Sequence, residues 1–240
     1  MNLIRSLLFF TFMIITTVVI AGIGSLIGWA IPHRHIHIID NSWSRVNLWG
    51  LKVICGLSYR LQGIENIPKQ SCIVFAKHQS AWETIALIHI ISGPKSWVMK
   101  RELLLVPFFG WVLRYFKPIA INRKSGRKAV DQIVEQGIER LKEGSNVFIF
   151  PEGTRVAPGT RRRYGIGGAI LAEKSGFPVL PVAHNAGVFW RRRDIRKYPG
   201  VIDVCIGPLI PSEGRSASEI NKQAEDWIET TVEKLPSLRS

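Results

Sequence analysis

Acidic residues are scarce in this chain. Its 240 residues hold 18 Asp and Glu against 32 Lys and Arg, a formal net charge of +14. Such a balance disfavours basic partners and favours acidic ones: nucleic acid, anionic lipid or phosphorylated molecules. Charge alone does not choose among these. Cysteine is sparse as well. Cys55, Cys72 and Cys205 form no Cys-x-x-Cys pair and leave an odd count, which argues against a disulfide framework. Cys55 and Cys72 lie in apolar runs, as buried free thiols do, and a reducing, cytosolic setting fits the body of the chain.

The longest absence is at the N-terminus. From Ser6 to Pro32 there is no Asp, Glu, Lys, Arg or His. A helix needs about 20 apolar residues to reach across a bilayer core. A signal peptide would carry an apolar region of about 7–15 residues before a small-residue cleavage site. Here the run passes Ala21-Gly22 and Gly24-Ser25 and continues to Ile31, so a membrane helix is expected. His33-Arg34-His35-Ile36-His37 follows as an interfacial polar collar, and no carboxylate or cysteine completes a metal-ligand set there. Trp43, Trp49 and Tyr59 are then interleaved with Arg45, Lys52 and Arg60. That mixture suits the lipid headgroup zone, or else an amphipathic core helix over Val46–Leu61. Residues 1–60 are accordingly expected to form a hydrophobic membrane anchor, with a second helix lying against the first, and residues 61–240 a single domain.

From Ser71 onward short apolar runs alternate with amphipathic segments. Strands are expected at Cys72–Ala76, Trp97–Met99, Ile119–Ile121, Val147–Phe150, Val179–Val182 and Val201–Ile206. Helices are expected at Trp82–Ile91, Ser125–Glu143 and Ala217–Leu235. In the second of these, Val130, Ile133, Val134, Ile138 and Leu141 share one stripe, Ser125 is the expected N-cap, and Gly144 the stop. The alternation predicts an α/β fold: a layered, mixed and largely parallel sheet flanked by helices.

Two clusters follow buried strands, where α/β sheets build their sites. The first is Lys77-His78-Gln79-Ser80-Ala81-Trp82-Glu83-Thr84. An imidazole can take a proton from a hydroxyl near neutral pH. Within one continuous helix, residues five apart sit about 140° apart and do not meet. If His78 lies in the turn and Glu83 in the first helical turn, the carboxylate can hold the imidazole and support its cation. Ser80-x-x-Glu83 is equally a capping-box pattern, in which Glu83 only satisfies backbone N–H groups. The second cluster is Phe150-Pro151-Glu152-Gly153-Thr154-Arg155. A glycine turn with a hydroxyl and a guanidinium can bind phosphate, or be a plain polar turn. Lys100-Arg101 and Arg123 follow two further strands, so four strand ends carry chemistry.

At these residues the sequence resembles the 1-acyl-glycerol-3-phosphate acyltransferases of the glycerolipid acyltransferase family. The family's His-x-x-x-x-Asp motif, usually preceded by Asn, is met by Lys77-His78 through Glu83. Its second motif is met by Lys100-Arg101-Glu102-Leu103 through Pro107-Phe108-Phe109-Gly110-Trp111, with Ile121-Asn122-Arg123 after it. The third is met by Phe150–Arg155, and the fourth by Val179-Leu180-Pro181-Val182-Ala183. All four occur in the family's order, over roughly residues 61–210. Glu83 stands where the family usually has Asp, and Lys77 where it has Asn.

The resemblance implies a reaction. An acyl-CoA or acyl carrier protein donates a fatty acyl group to the sn-2 hydroxyl of 1-acyl-glycerol 3-phosphate, forming phosphatidic acid for phospholipid biosynthesis. His78 would be the base and Glu83 its support. Arg123, Glu152, Gly153, Thr154 and Arg155 would bind the substrate phosphate, with Lys100 and Arg101 on either phosphate-bearing substrate. No metal, cofactor or covalent acyl-enzyme is expected. The resemblance also suggests a two-helix anchor in one leaflet. The expected location is the membrane, with the catalytic domain on the cytoplasmic face (of the inner membrane, in a bacterium). The expected partners are membrane lipids, lysophosphatidic acid and the acyl donor, and no nucleic acid. A related acyltransferase using glycerol 3-phosphate, a lysophospholipid or a lyso-aminolipid shares these motifs. Arg161-Arg162-Arg163 and Arg191-Arg192-Arg193 keep open a basic membrane- or nucleic-acid-binding protein without catalysis, although no nucleic-acid motif is recognisable.

Overall fold

The computed structural model describes residues 2–32, 35–106, 109–122 and 125–236. His33 and Arg34 of the collar, Pro107-Phe108 and the expected phosphate ligand Arg123 lie outside the described residues. The apolar N-terminal run forms one helix, α1 (Asn2–Ile27), followed by a 3₁₀ turn at Gly28–Ala30. Helix α2 (His37–Gly50) packs back against it and continues as a π-helical stretch, Leu51–Cys55. Gly50 permits that packing, since a Cβ there would stand 2.5 Å from the Phe12 ring of α1.

The helix expected over Val46–Leu61 is corrected by the structure. Gly56 takes a φ of 67°, ends the helical backbone, and releases Leu57–Gln62 as strand β1. The interleaved basic residues made this stretch look helical; pairing with a distant strand overrides that local pattern. After β1 come β2 (Ile73–Ala76), α3 (Trp82–Ile90), β3 (Lys95–Lys100), α4 (Phe109–Tyr115), β4 (Ile119–Ile121) and α5 (Arg127–Lys142). Then follow β5 (Asn146–Ile149), α6 (Gly167–Ser175), β6 (Val179–His184), α7 (Ala186–Phe189), β7 (Gly200–Ile206) and α8 (Ala217–Lys234). Helix α5 begins two residues later than Ser125, with Gly126 in the cap position at φ 52°.

The strands form one seven-stranded sheet in the order β1-β7-β6-β2-β5-β3-β4. Every neighbouring pair is parallel except β6 and β7. Side chains alternate across it as the pleat requires. Ile73 and Phe75 of β2 join the core under α5, α6 and α8, whereas Val74 and Ala76 join the core under α1, α2 and α3. Gly168 lets α6 approach the sheet, because a Cβ there would lie 2.6 Å from Phe75. Strands β2, β5 and β3 are adjacent, so the segments leaving their C-terminal ends converge on one edge of the sheet.

Candidate active site

Strand β2 ends at Ala76, and the chain turns through Lys77–Ala81 before entering α3. His78 is therefore outside the helix and Glu83 inside its first turn, which removes the angular objection to their meeting. His78 Nδ1 lies 2.9 Å from Glu83 Oε1. A carboxylate oxygen can only accept there, so the proton sits on Nδ1 and Nε2 is left as the basic nitrogen. The same Oε1 accepts the Gln79 N–H at 2.8 Å and the Ser80 N–H at 2.7 Å. Ser80 Oγ accepts the Trp82 N–H at 3.2 Å. Both readings of Glu83 thus describe one carboxylate: it caps the turn and holds the imidazole.

Glu83 is fully buried. Burial alone would raise its pKa, but the His184 and His78 rings and the Ser80 amide outweigh it and hold the carboxyl below the usual range. His184 lies on the other side, its Nε2 3.9 Å from Glu83 Oε2. Burial lowers the pKa of His184 itself, so the ring favours its neutral form. Its Nδ1 accepts the Ala186 N–H, which puts the proton on Nε2, and that N–H donates to the Lys77 carbonyl at 2.8 Å. Phe150, at the end of β5, lies flat on His78 with ring centroids 3.9 Å apart.

The glycine turn after β5 sits against the same imidazole. Gly153 adopts a φ of 68°, a left-handed conformation that suits glycine, and its N–H donates to the Phe150 carbonyl. The Val156 N–H donates to the His78 carbonyl at 2.8 Å, and Glu152 Oε2 accepts the His78 N–H at 2.6 Å. Glu152 is 3% exposed and its other oxygen lies 2.8 Å from Lys77 Nζ. Expected among the phosphate ligands, its carboxylate is instead turned into the fold, where it serves the two residues of the opposite loop.

An apolar cavity of about 520 Å³ opens beside His78, within the range of about 300–1,000 Å³ usual for ligand sites. Thr17, Ile20 and Ala21 of α1, Trp43 of α2, Ile88 of α3 and Val112 of α4 form its walls. Lys100, at the end of β3, and Arg155 also line it, placing two cations on the cavity that holds the imidazole. Arg101 is exposed at the start of a 3₁₀ turn, and neither it nor Gly153 nor Thr154 lines the cavity. A separate depression of about 620 Å³ on the solvent face of α8, around Lys222 and Trp227, contains none of these residues. Sequence reasoning missed the stacking role of Phe150, the placement of His184, and the contribution of α1 to the cavity. Phe150 opens a motif that was singled out, but a lone aromatic carries no signal of what it stacks on.

A family model described as acyltransferase matches residues 58–185. The chain is 41% identical to a 1-acyl-sn-glycerol-3-phosphate acyltransferase of Pseudomonas aeruginosa, over 98% of this chain and 93% of that one. It is 32% identical to a protein of the same name from Borreliella burgdorferi, over 81% of this chain and 77% of that one. Among solved structures, a 1-acyl-sn-glycerophosphate acyltransferase from Thermotoga maritima superposes with a TM-score of 0.80 at 25% identity, covering 100% of this chain and 98% of that one.

Proposed function

This chain belongs to the acyltransferase family, and we propose that it moves a fatty acyl group from a thioester donor to the sn-2 hydroxyl of 1-acyl-glycerol 3-phosphate, giving phosphatidic acid. One observation carries the reading. The His78–Glu83 pair, at 2.9 Å, leaves Nε2 basic on a ring that lines a cavity which is apolar along most of its length and bears Lys100 and Arg155. An acyl chain fits the apolar walls, and a phosphate monoester fits the cations.

In this mechanism the acceptor phosphate pairs with Arg155 and its free hydroxyl meets His78 Nε2. The imidazole takes the hydroxyl proton as the oxygen attacks the thioester carbonyl. The tetrahedral intermediate collapses, the C–S bond breaks, and the thiolate leaves, taking up the proton held by the imidazolium. Glu83 keeps Nδ1 protonated throughout and stabilises the transient cation. Phe150 fixes the ring plane. Nothing in these steps calls for a metal or cofactor.

The lysophospholipid acceptor and the phosphatidic acid product are both membrane lipids. Leu7, Phe10, Ile14 and Val18 form an exposed apolar stripe on α1, whose other side packs on α2 and, at Thr17, Ile20 and Ala21, lines the cavity. That two-sidedness supports a helix lying in one leaflet rather than crossing it, with the catalytic body on the cytosolic side where thioester donors are found.

The test is an acceptor panel. Purified protein in detergent is given acyl-CoA or acyl carrier protein with lysophosphatidic acid, glycerol 3-phosphate or lysophosphatidylcholine, and the lipids are identified by mass spectrometry. Phosphatidic acid from lysophosphatidic acid is expected. Product from another acceptor alone reassigns the substrate, and turnover with only one donor assigns the donor.

A further inference from the structure

Lys77 immediately precedes His78, yet its ammonium is not at the surface: the side chain is 1% exposed. An uncompensated ammonium in such a place would be very costly, so its partners define its purpose. Nζ lies 2.7 and 2.9 Å from the two carboxylate oxygens of Glu229 on α8, and 2.8 Å from Glu152 Oε1. Glu229 Oε1 also accepts the Tyr164 hydroxyl at 2.9 Å. Two carboxylates therefore share one buried lysine.

Holding α8 to the sheet does not explain this cluster. Ala217, Ile220, Ala224 and Ile228 already bury the inner face of α8. An apolar residue at 229 would extend that face, and replacing a buried ion pair with well-packed apolar groups is often neutral or stabilising. What the ions do is converge on the base. Glu152 spans from Lys77 Nζ to the His78 N–H, and the next residues after it are Gly153, Thr154 and Arg155. The Val156 N–H closes the other side of the same residue by donating to the His78 carbonyl.

We propose that Lys77 and Glu229 are positioning residues for acyl transfer: Glu229 fixes the ammonium, the ammonium fixes Glu152, and Glu152 sets His78 and the Arg155 turn in register with each other. This rests on the reading of His78 as the base. Glu229 acts from α8 without touching substrate. Its effect is on the placement of the imidazole relative to the bound acceptor, which is a kcat effect. Displacing a reacting group by about 1 Å can cost about 100-fold in rate.

The experiment compares Glu229→Gln and Glu229→Asp with the wild type, using thiol release from acyl-CoA in detergent and the acceptor on which the wild type turns over. Loss of the lysophosphatidic acid assignment therefore leaves the comparison intact. For Glu229→Gln we expect kcat about tenfold down, KM for both substrates within about twofold, and a cooperative thermal transition. Glu229→Asp, which keeps the charge, should recover part of the loss. Wild-type kcat in folded Glu229→Gln overturns the proposal, as does a rise in KM at constant kcat. Should Glu229→Gln not fold, Tyr164→Phe removes only the hydroxyl that braces Glu229. A kcat lowered about threefold then supports the proposal, and an unchanged kcat overturns it. A fully active His78→Ala enzyme would remove the base itself and the proposal with it.

Discussion

Phe150 lies over the His78 imidazole with ring centroids 3.9 Å apart and planes 11° apart. Trp97 lies beyond it, its ring 5.7 Å from Phe150 and 4.4 Å from Phe148. The imidazole is thus held in its plane by stacked aromatics and at its Nδ1 edge by Glu83. Phe150→Leu keeps apolar volume but gives up the flat surface. It should lower kcat about tenfold with little change in either KM, read by steady-state kinetics on thiol release. Wild-type turnover in this variant would mean that Glu83 alone orients the ring.

The Glu83 carboxylate can be divided into its two duties. His78→Ala should cost about 10²–10⁴ in turnover. Glu83→Gln keeps an oxygen for the Gln79 and Ser80 amides but loses the charge facing the imidazole, so kcat should fall sharply while the melting temperature moves little. Glu83→Ala also strands both buried amides, a loss of about 1–3 kcal/mol per group, and should lower the melting temperature as well. Glu83→Asp should retain part of the activity. A fully active Glu83→Gln enzyme would leave Glu83 as a cap alone.

Arg155 and Lys100 flank the cavity on different strand ends. Arg155→Ala should raise KM for the phosphorylated acceptor more than for the donor, with some loss of kcat because the hydroxyl is less well held. Lys100→Ala should show which substrate this second cation meets. Equal weakening of both substrates by Arg155→Ala would place that guanidinium on shared ground between them.

Burial raises Glu152 from its ordinary 4.5 to about 7, with Lys77 only partly offsetting it. The folded protein then keeps a proton that the unfolded chain releases between those values. The sign follows from linkage: the contribution is fully present below 4.5 and is lost as pH rises through about 7. Glu152→Gln cannot titrate, so the difference in melting temperature, wild type minus variant, should shrink as pH rises through this window. A difference that widens with pH would mean that Lys77 holds the carboxylate ionised.

The exposed stripe of α1 offers a test of membrane attachment that spares the fold. Deleting residues 1–60 would remove most of strand β1, which pairs with β7, so truncation confuses anchoring with folding. Substituting Leu7, Phe10, Ile14 and Val18 with Ser leaves the packed face of α1 alone. Sedimentation with phospholipid vesicles should drop strongly, while turnover of detergent-dispersed substrate persists. Undiminished vesicle binding would place the attachment elsewhere.

Much of the sheet was legible because its strands are short apolar runs between turn signals. Ile119–Ile121 was placed residue for residue, and the edges of β2, β5 and β7 to within a residue. The His78–Glu83 pairing was legible too, because six residues of sequence contain both groups and the turn between them. Strand β1 was not, since Tyr59 and Arg60 interleave with Leu57 and Leu61 much as on an amphipathic helix, and only the pairing with β7 decides. The inward turn of Glu152 was hidden for a different reason. Its partner Lys77 is shared with Glu229, 152 residues away from that lysine, and no local pattern announces such a meeting. The cavity was invisible likewise, its walls being drawn from elements scattered between α1 and the turn after β5.

Helix α1 presents Thr17, Ile20 and Ala21 to the cavity and Val18, Val19 and Ile23 to the outside. The wall between the cavity and the exterior is therefore a single helix thick along α1. With α1 in one leaflet, as proposed above, lateral pressure, bilayer thinning or a change in hydrocarbon order would act on one side of a wall whose other side lines the cavity beside His78.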